Sequence, residues 1–129
     1  MNEWDKIKRD CPKLYQEGIF FECGPGWATL IHDLSLKIEM ILDENSSRNN
    51  VPEGEEVFYF EMFATQVKEK YGRLRFYMNC ETAEITELIE EAEALSSQVC
   101  ENCGEHGKMR GEKWVSVLCD KCSKNIKVF

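Results

Sequence analysis

Four of the seven cysteines in this 129-residue chain fall into two Cys-x-x-Cys pairs, the clearest chemical pattern in the sequence. The pairs are Cys100 with Cys103 and Cys119 with Cys122. Two residues between cysteines allow a tight turn to direct both sulfurs at one metal ion, and Gly104 permits the positive φ that such a turn usually requires. Because four soft thiolates favour zinc and leave no coordination position open for water, the pattern predicts one structural Zn2+ ion.

The segment between the two pairs is long enough for a β-hairpin that returns to the metal. Residues 108–110 and 114–118 supply its arms, and the second pair opens a short terminal helix. We therefore predict a zinc-ribbon or treble-clef-like knuckle over residues 100–129, in which His106 is an exposed residue and not a ligand. Iron, as in rubredoxin-like sites, is the alternative metal, whereas a redox Cys-x-x-Cys motif would need only one pair.

A cluster of positive charge surrounds the dipeptide Tyr71-Gly72, where we predict that a β-hairpin turns. A turn at this position places Lys68 opposite Arg75. It also places Lys70 opposite Arg73, on the same side of the sheet. Like charges that face each other across two strands are unfavourable unless an anion lies over them. The hairpin is therefore a candidate anion-binding surface.

The negative charge that balances this hairpin has two candidate sources, an external anion and the protein's own glutamates. Tyr77 lies on the same predicted side as the cations, and the surface suits a phosphate, a nucleic-acid backbone or the carboxylates of a partner. An internal alternative follows directly in the chain, because residues 81–93 contain six glutamates and no lysine or arginine. We place internal pairing with these glutamates slightly ahead of an external anion. For the glutamate face itself we favour solvation, the usual fate of a charge run, over imitation of a nucleic-acid phosphate row or docking of a basic partner.

The segment 22–27 contains two glycines around Pro25. It places free backbone N–H groups at the N-terminus of a helix, which is a natural anion site. One interpretation makes this segment part of a pocket, with Cys23 as nucleophile and His32 as base. The other makes Cys23 a small buried residue and Trp27 an anchor that fixes the helix to the core. We favour the structural interpretation, because the sequence shows no partner that would lower the pKa of Cys23.

The composition indicates an acidic globular protein. Twenty-four acidic residues against sixteen basic ones give a formal charge of −8, and zinc with four thiolates would bring it to about −10. This charge disfavours nucleic acid and anionic membranes as partners unless a local patch overrides it. No apolar run approaches the roughly 20 residues of a membrane helix, and the N-terminus lacks the apolar region of a secretory signal. We therefore expect a cytoplasmic protein.

Aromatic and β-branched residues predict the strands. The two arms of the hairpin are predicted over residues 63–70 and 73–79. Residues 58–60 either extend the first arm or form a separate element, and residues 19–21 form a short buried strand or an apolar turn.

Hydrophobic periodicity predicts amphipathic helices over residues 30–42 and 82–99, with a polar loop over residues 43–56. The predicted apolar stripe of the first helix excludes Glu39, and that of the second helix includes Leu95. The predicted fold class is α+β, with the two main helices packed on a small antiparallel sheet and the four-cysteine zinc knuckle at the C-terminus. Residues 1–99 would form the core and residues 100–129 the knuckle of one compact unit.

Four motifs stand out along the chain: Glu22-Cys23-Gly24-x-Gly26-Trp27, Gln66-Val67-Lys68-Glu69-Lys70-Tyr71-Gly72-x-Leu74-Arg75-Phe76-Tyr77, Cys100-x2-Cys103-Gly104 and Leu118-Cys119-x2-Cys122. In these motifs the chain resembles a family of small phage and prophage zinc-binding proteins of uncharacterised activity. The resemblance covers most of the chain from residue 20 onward. It implies a phage setting, in which the cytoplasm would be that of the host cell, and it implies no particular chemistry.

Three functions are compatible with the sequence. The leading hypothesis is a zinc-stabilised, non-enzymatic binding or regulatory module that binds a host protein, with inhibition of that protein as one mode of action. The second is a nucleic-acid-binding zinc protein, and the third is a binder of a small anionic ligand such as a phosphate or nucleotide. The candidate contact residues are Trp27, Lys68, Lys70, Arg73, Arg75 and Tyr77.

Overall fold

In the computed structural model of the chain, residues 2–47 and 61–125 are described, and they form four helices and five strands. The helices are α1 (Glu3–Asp10), α2 (Ala28–Ser47), α3 (Ala83–Ser96) and α4 (Asp120–Asn125). The strands are β1 (Phe21–Glu22), β2 (Ala64–Lys70), β3 (Arg73–Met78), β4 (Lys108–Arg110) and β5 (Ser116–Leu118). The predicted α+β class is confirmed. The element predicted at residues 58–60 lies outside the described residues.

Helix α2 is longer than predicted and buries more polar groups. It continues through residues 43–47, which the sequence assigned to a loop. Its buried stripe includes Glu39, which the apolar pattern placed off this face. The Glu39 carboxylate accepts hydrogen bonds from the backbone N–H groups of Lys13 (3.1 Å) and Leu14 (2.9 Å). These two bonds offset the cost of removing the carboxylate from water and tie the segment after α1 to α2.

Helix α3 begins at an N-cap, because the Thr82 side chain accepts a hydrogen bond from the backbone N–H of Ile85. Its fully buried positions follow one stripe that ends at Ser96 and not at Leu95, whose side chain is 52% exposed. The prediction for Leu95 is therefore wrong. The buried members of the stripe are Ile85, Ile89, Ala92 and Ser96.

The main sheet has the strand order β1-β2-β3, in which β2 and β3 are antiparallel. Strand β1 adds a parallel edge to the predicted antiparallel pair, and it is formed by Phe21 and Glu22, while Phe20 is exposed. The predicted turn is confirmed. Both Tyr71 (φ 54°) and Gly72 (φ 77°) have positive φ, as a two-residue type I′ turn requires.

The main sheet has an apolar inner face and a charged outer face. Val67, Leu74 and Phe76 on the inner face are buried in the core that α2 and α3 cover. Since side chains alternate along each strand, the residues between them point outward. No helix in residues 2–47 and 61–125 is long and apolar enough to cross a membrane.

The C-terminal segment forms the predicted knuckle. Strands β4 and β5 pair antiparallel, with Met109 opposite Val117, and α4 follows directly after Cys119. An isolated bridge between Val99 and His106 closes the base of the first Cys-x-x-Cys turn. The arrangement of turn, hairpin and short helix is the treble-clef-like order expected from the sequence.

Candidate metal centre and cationic sheet face

The four cysteines of the two pairs come together at the end of this knuckle. All four sulfur atoms lie within 4.8 Å of one another, and Cys103 Sγ is 3.6 Å from Cys119 Sγ. In a tetrahedral site with Zn–S bonds of about 2.3 Å, the sulfurs are about 3.8 Å apart. The geometry therefore fits one four-coordinate metal ion. Cys100 and Cys122 are buried, whereas Cys103 and Cys119 lie nearer the surface.

Local backbone geometry directs these sulfurs inward. The first turn closes with a hydrogen bond from Gly104 N–H to the Cys100 carbonyl (2.9 Å), and Gly104 has φ 86°. In the second pair, Cys122 N–H donates to Cys119 Sγ (3.4 Å). The Asn102 amide donates to Cys122 Sγ (3.3 Å), so donors outside the four ligands also stabilise negative charge on sulfur.

The electrostatics of the cluster favour a bound cation. Although burial opposes it, hydrogen bonds from the backbone N–H groups of Cys119, Cys103 and Asn102 lower the pKa of Cys100 to about 6. The Glu105 N–H favours the thiolate of Cys103, but desolvation and the three neighbouring sulfurs raise the pKa of that thiol to about 12. Four thiolates this close repel one another, and a divalent metal ion removes the conflict by binding all of them.

The glycine turn before α2 and the metal knuckle are interlocked. The Glu101 carboxylate accepts a hydrogen bond from Gly24 N–H (2.8 Å), and the Glu101 carbonyl accepts one from Gly26 N–H (2.7 Å). The predicted anion site at this turn is thus filled by the protein's own residue. Burial raises the pKa of Glu101, against the opposing effect of the Gly24 N–H.

The structure places Trp27 away from the outer sheet face. Its side chain is fully buried in the same core as the inner residues Leu74 and Phe76, and its Nε1 donates to the Val99 carbonyl (2.8 Å). A side chain in this position cannot contact a ligand on the outer face, because the sheet lies between them. Trp27 instead connects the turn before α2 to Val99, the residue that precedes Cys100.

The geometry does not support a Cys23–His32 nucleophile and base pair. Burial raises the pKa of Cys23 to about 12, an effect that Glu101 and Glu69 reinforce. His32 Nε2 is 2.9 Å from an Asp10 carboxylate oxygen, which lowers the pKa of Asp10 and joins α1 to α2. A thiol with so high a pKa is not an activated nucleophile at neutral pH.

The predicted cationic pairs are present on the outer face of the sheet. Lys68 lies opposite Arg75 and Lys70 opposite Arg73 in the β2–β3 register. Tyr77 lies on the same face, with the Lys68 ammonium 6.0 Å from its ring centroid. Lys70, Arg73 and Tyr77 are exposed, while Lys68 and Arg75 are half-buried. We refer to these five residues as the cationic face.

The described residues of the glutamate-rich helix form no ion pair with the cationic face. Among the described residues, no carboxylate lies within 4.0 Å of the charged groups of its two lysines and two arginines. Glu93 of α3 instead accepts a hydrogen bond from the backbone N–H of Phe76 (3.1 Å). Glu22 of β1 lies beside Lys68 of β2 in the register, and it accepts a hydrogen bond from the Gln66 amide (3.4 Å). The internal ion pairing that the sequence slightly favoured is therefore not seen within residues 2–47 and 61–125.

Sequence reasoning missed three exposed apolar residues near the two turns. Tyr71 is 71% exposed, Met109 52% and Trp114 72%. Trp114 was assigned to a strand arm, but it precedes β5 and lies in the β4–β5 connection. Its polar neighbours in the sequence, Glu112 and Lys113, were the available indication that this tryptophan is not a core residue.

Comparison of the chain with protein-family models, with curated proteins and with solved structures found no match. The function is therefore inferred from the metal cluster and from the cationic face.

Proposed function

We propose that this protein is a zinc-stabilised, non-enzymatic binding module that docks a macromolecular partner through its cationic face. The observation that carries the proposal is the face itself, where two pairs of like charges oppose each other without a carboxylate partner among the described residues. Such an arrangement is unfavourable in the free protein and becomes favourable when an anionic surface covers it.

The four-cysteine cluster supports a structural and not a catalytic role for a bound zinc ion. All four coordination positions of a tetrahedral ion are taken by cysteine sulfurs, so no position remains for water or substrate. Elemental analysis of the reduced protein should find one zinc ion per chain. Finding iron instead would identify a different structural metal, and finding no stoichiometric metal would exclude the zinc-stabilised part of the proposal.

A protein partner fits the charge of the molecule better than nucleic acid does. The chain carries −8 overall, which disfavours a polyanion that extends beyond a local cationic patch. The resemblance to phage proteins makes a host protein the expected partner, and the host cytoplasm the expected location. Inhibition of that host protein is one way in which such a module would act.

A charge-reversal comparison tests the proposal. We expect Lys68→Glu with Arg75→Glu to lose a partner that the wild-type protein captures from host extract. A control with Lys6→Glu and Lys37→Glu, two exposed lysines on α1 and α2, changes the net charge equally and should retain the partner. Equal retention by both double variants would exclude the cationic face as the docking surface.

Nucleic acid is the second candidate, because exposed aromatic residues beside cations also suit single strands. This candidate predicts mobility shifts of oligonucleotides at low ionic strength that disappear as salt is added. The absence of such shifts would eliminate it. The small-anion candidate loses its proposed pocket, because Trp27 does not share a surface with the cations.

A further inference from the structure

The two hairpins of the molecule meet at their turns. Gly72, in the β2–β3 turn, is buried next to residues of the β4–β5 hairpin. A Cβ atom placed on Gly72 would lie 2.9 Å from Val115 Cγ1 and 3.3 Å from Met109 Cε. The β2–β3 turn therefore lies against the β4–β5 hairpin at Gly72 and leaves no room there for a larger residue.

Three large, exposed apolar residues take part in this contact or adjoin it in the sequence. They are Tyr71, next to Gly72, Met109 in β4, and Trp114, next to Val115. A tryptophan that is 72% exposed is unusual in a monomeric protein, and a group of such residues typically marks an interaction site. Aromatic residues and methionine are also enriched in protein interfaces. We refer to these three residues as the junction patch.

The junction patch continues into the cationic face. The Lys70 ammonium is 5.9 Å from the ring centroid of Tyr71, and Arg73 lies opposite Lys70 in the register. A ligand that covers the junction patch therefore meets positive charge along one side. Apolar contacts and positive charge are available within one surface that both hairpins build.

We propose that this surface recognises an acidic peptide segment with an apolar anchor residue, the anchor on the junction patch and the carboxylates on the cationic face. The inference rests on the proposed function and names the chemistry of its partner. It also assigns a task to the metal, because Met109 and Trp114 belong to the hairpin that the four-cysteine cluster holds. Metal loading assembles the apolar half of the surface.

Charge complementarity favours an acidic peptide over a nucleic acid. A peptide can place two or three carboxylates on Lys68, Lys70, Arg73 and Arg75 and carry no charge elsewhere. A nucleic-acid strand carries a charge at every phosphate and would also meet acidic groups next to the cationic face, such as Glu22, which lies beside Lys68 in the register. The ammonium groups over Tyr71 and Tyr77 also occupy ring faces on which a base would have to stack.

Selection from a random 12-residue peptide library on the metal-loaded protein tests the proposal. We expect selected peptides to share at least two acidic residues and one large apolar residue. A synthetic peptide of the consensus sequence should then bind in a saturable manner and shift the emission of Trp114 to shorter wavelength. Replacement of its acidic residues by lysine should abolish binding, and so should removal of the metal by a chelator.

Matched variants separate the two halves of the surface. Tyr71→Ser with Trp114→Ser should weaken consensus-peptide binding, followed by calorimetry, about tenfold or more. Phe20→Ser with Met40→Ser removes exposed apolar residues elsewhere (77% and 64% exposed) and should leave binding unchanged. Lys70→Glu with Arg73→Glu should weaken binding to a similar extent as the first pair.

The outcomes are distinct for the two proposals. If the charge variants lose binding and Tyr71→Ser with Trp114→Ser does not, the cationic face stands as a docking site and the junction patch falls. Selection of peptides without acidic residues, or of none at all, overturns the inference. Tighter saturable binding of a twelve-residue oligothymidine than of the peptide overturns it in favour of nucleic acid.

Discussion

The β2–β3 hairpin buries Val67, Leu74 and Phe76 in a core that helices α2 and α3 cover. The β4–β5 hairpin has strands of three residues, and only Val117 and Leu118 are buried in it. An isolated two-stranded hairpin is marginal in water, and so few apolar residues do not compensate for the entropy of ordering it. The four-cysteine cluster beside the second hairpin would let a bound metal ion replace a hydrophobic core where the chain is too short to build one.

The two hairpins also satisfy their backbone groups differently. The outward N–H groups of Leu74 and Phe76 in the edge strand β3 donate to Ser96 Oγ and to the Glu93 carboxylate of α3. A helix thus covers the edge of the main sheet. In the knuckle, Cys122 N–H donates to a sulfur, which needs the metal to balance its charge.

Metal removal should produce the largest difference in stability between the two hairpins. A chelator under reducing conditions should unfold the β4–β5 hairpin, because structural zinc supplies roughly 10 kcal/mol or more to a segment of this kind. Hydrogen exchange should show full loss of protection at β4 and β5, with partial protection kept at β2 and β3. Unchanged protection of β4 and β5 in the metal-free protein would contradict the metal-for-core interpretation.

Gly26→Ala tests whether the metal knuckle and the core are one unit. The added Cβ would lie 2.1 Å from the Cys100 carbonyl oxygen and 2.6 Å from Gly104 N, both backbone atoms. We expect a loss of about 3 kcal/mol in unfolding free energy and weaker zinc retention in a competition with chelator.

Gly18→Ala is the control for that substitution. Gly18 has φ 91°, but a Cβ there would meet nothing within 4 Å. Its cost should be only the conformational one, about 1–2 kcal/mol, with zinc affinity unchanged. Equal zinc affinity in the two variants would show that the knuckle does not depend on the glycine turn.

Ser96→Ala tests how α3 covers the edge of the β2–β3 hairpin, and it should lower the unfolding free energy less than Gly26→Ala does. It leaves the buried N–H of Leu74 without an acceptor, so we expect a loss of about 1–3 kcal/mol by chemical denaturation, with zinc affinity unchanged. Ser97→Ala removes only an exposed hydrogen bond to the Ala94 carbonyl and should stay within about 0.5 kcal/mol. Equal effects of both variants would argue against edge capping by α3.

Thiol labelling distinguishes the exposed, buried and metal-binding cysteines by their reaction rates, and the variant it uses should have the smallest effect on stability. In the metal-loaded protein, we expect one fast-reacting thiol, the exposed Cys80. Cys11 and Cys23 should react slowly near pH 8, because burial raises the pKa of each to about 12. Cys80→Ser should abolish the fast reaction with no change in melting temperature, and metal removal should add the four ligand thiols. Fast labelling of Cys23 would reopen the question of a reactive thiol.

Several features could be predicted because they depend on local spacing. The two Cys-x-x-Cys turns, the Tyr71-Gly72 turn and the register of Lys68 with Arg75 follow from periods of two to four residues. The burial of Glu39 and Ser96 did not follow, since polar residues interrupt an apolar stripe without showing whether a partner lies within reach of them. The predictions for Trp114 and Leu95 failed for the converse reason. Both residues are exposed, and an apolar residue type does not reveal that its position faces solvent.

By itself the sequence determined the donor set for one metal ion, the two main helices and the opposition of like charges across a hairpin. Only the tertiary structure decided which groups satisfy one another over long distances in the chain. The Glu101 carboxylate reaches Gly24 from 77 positions away, and Glu93 turns to the N–H of Phe76 instead of to a cation. The reason is that a buried N–H must find an acceptor, and the packing of helices and turns determines which acceptor is within reach.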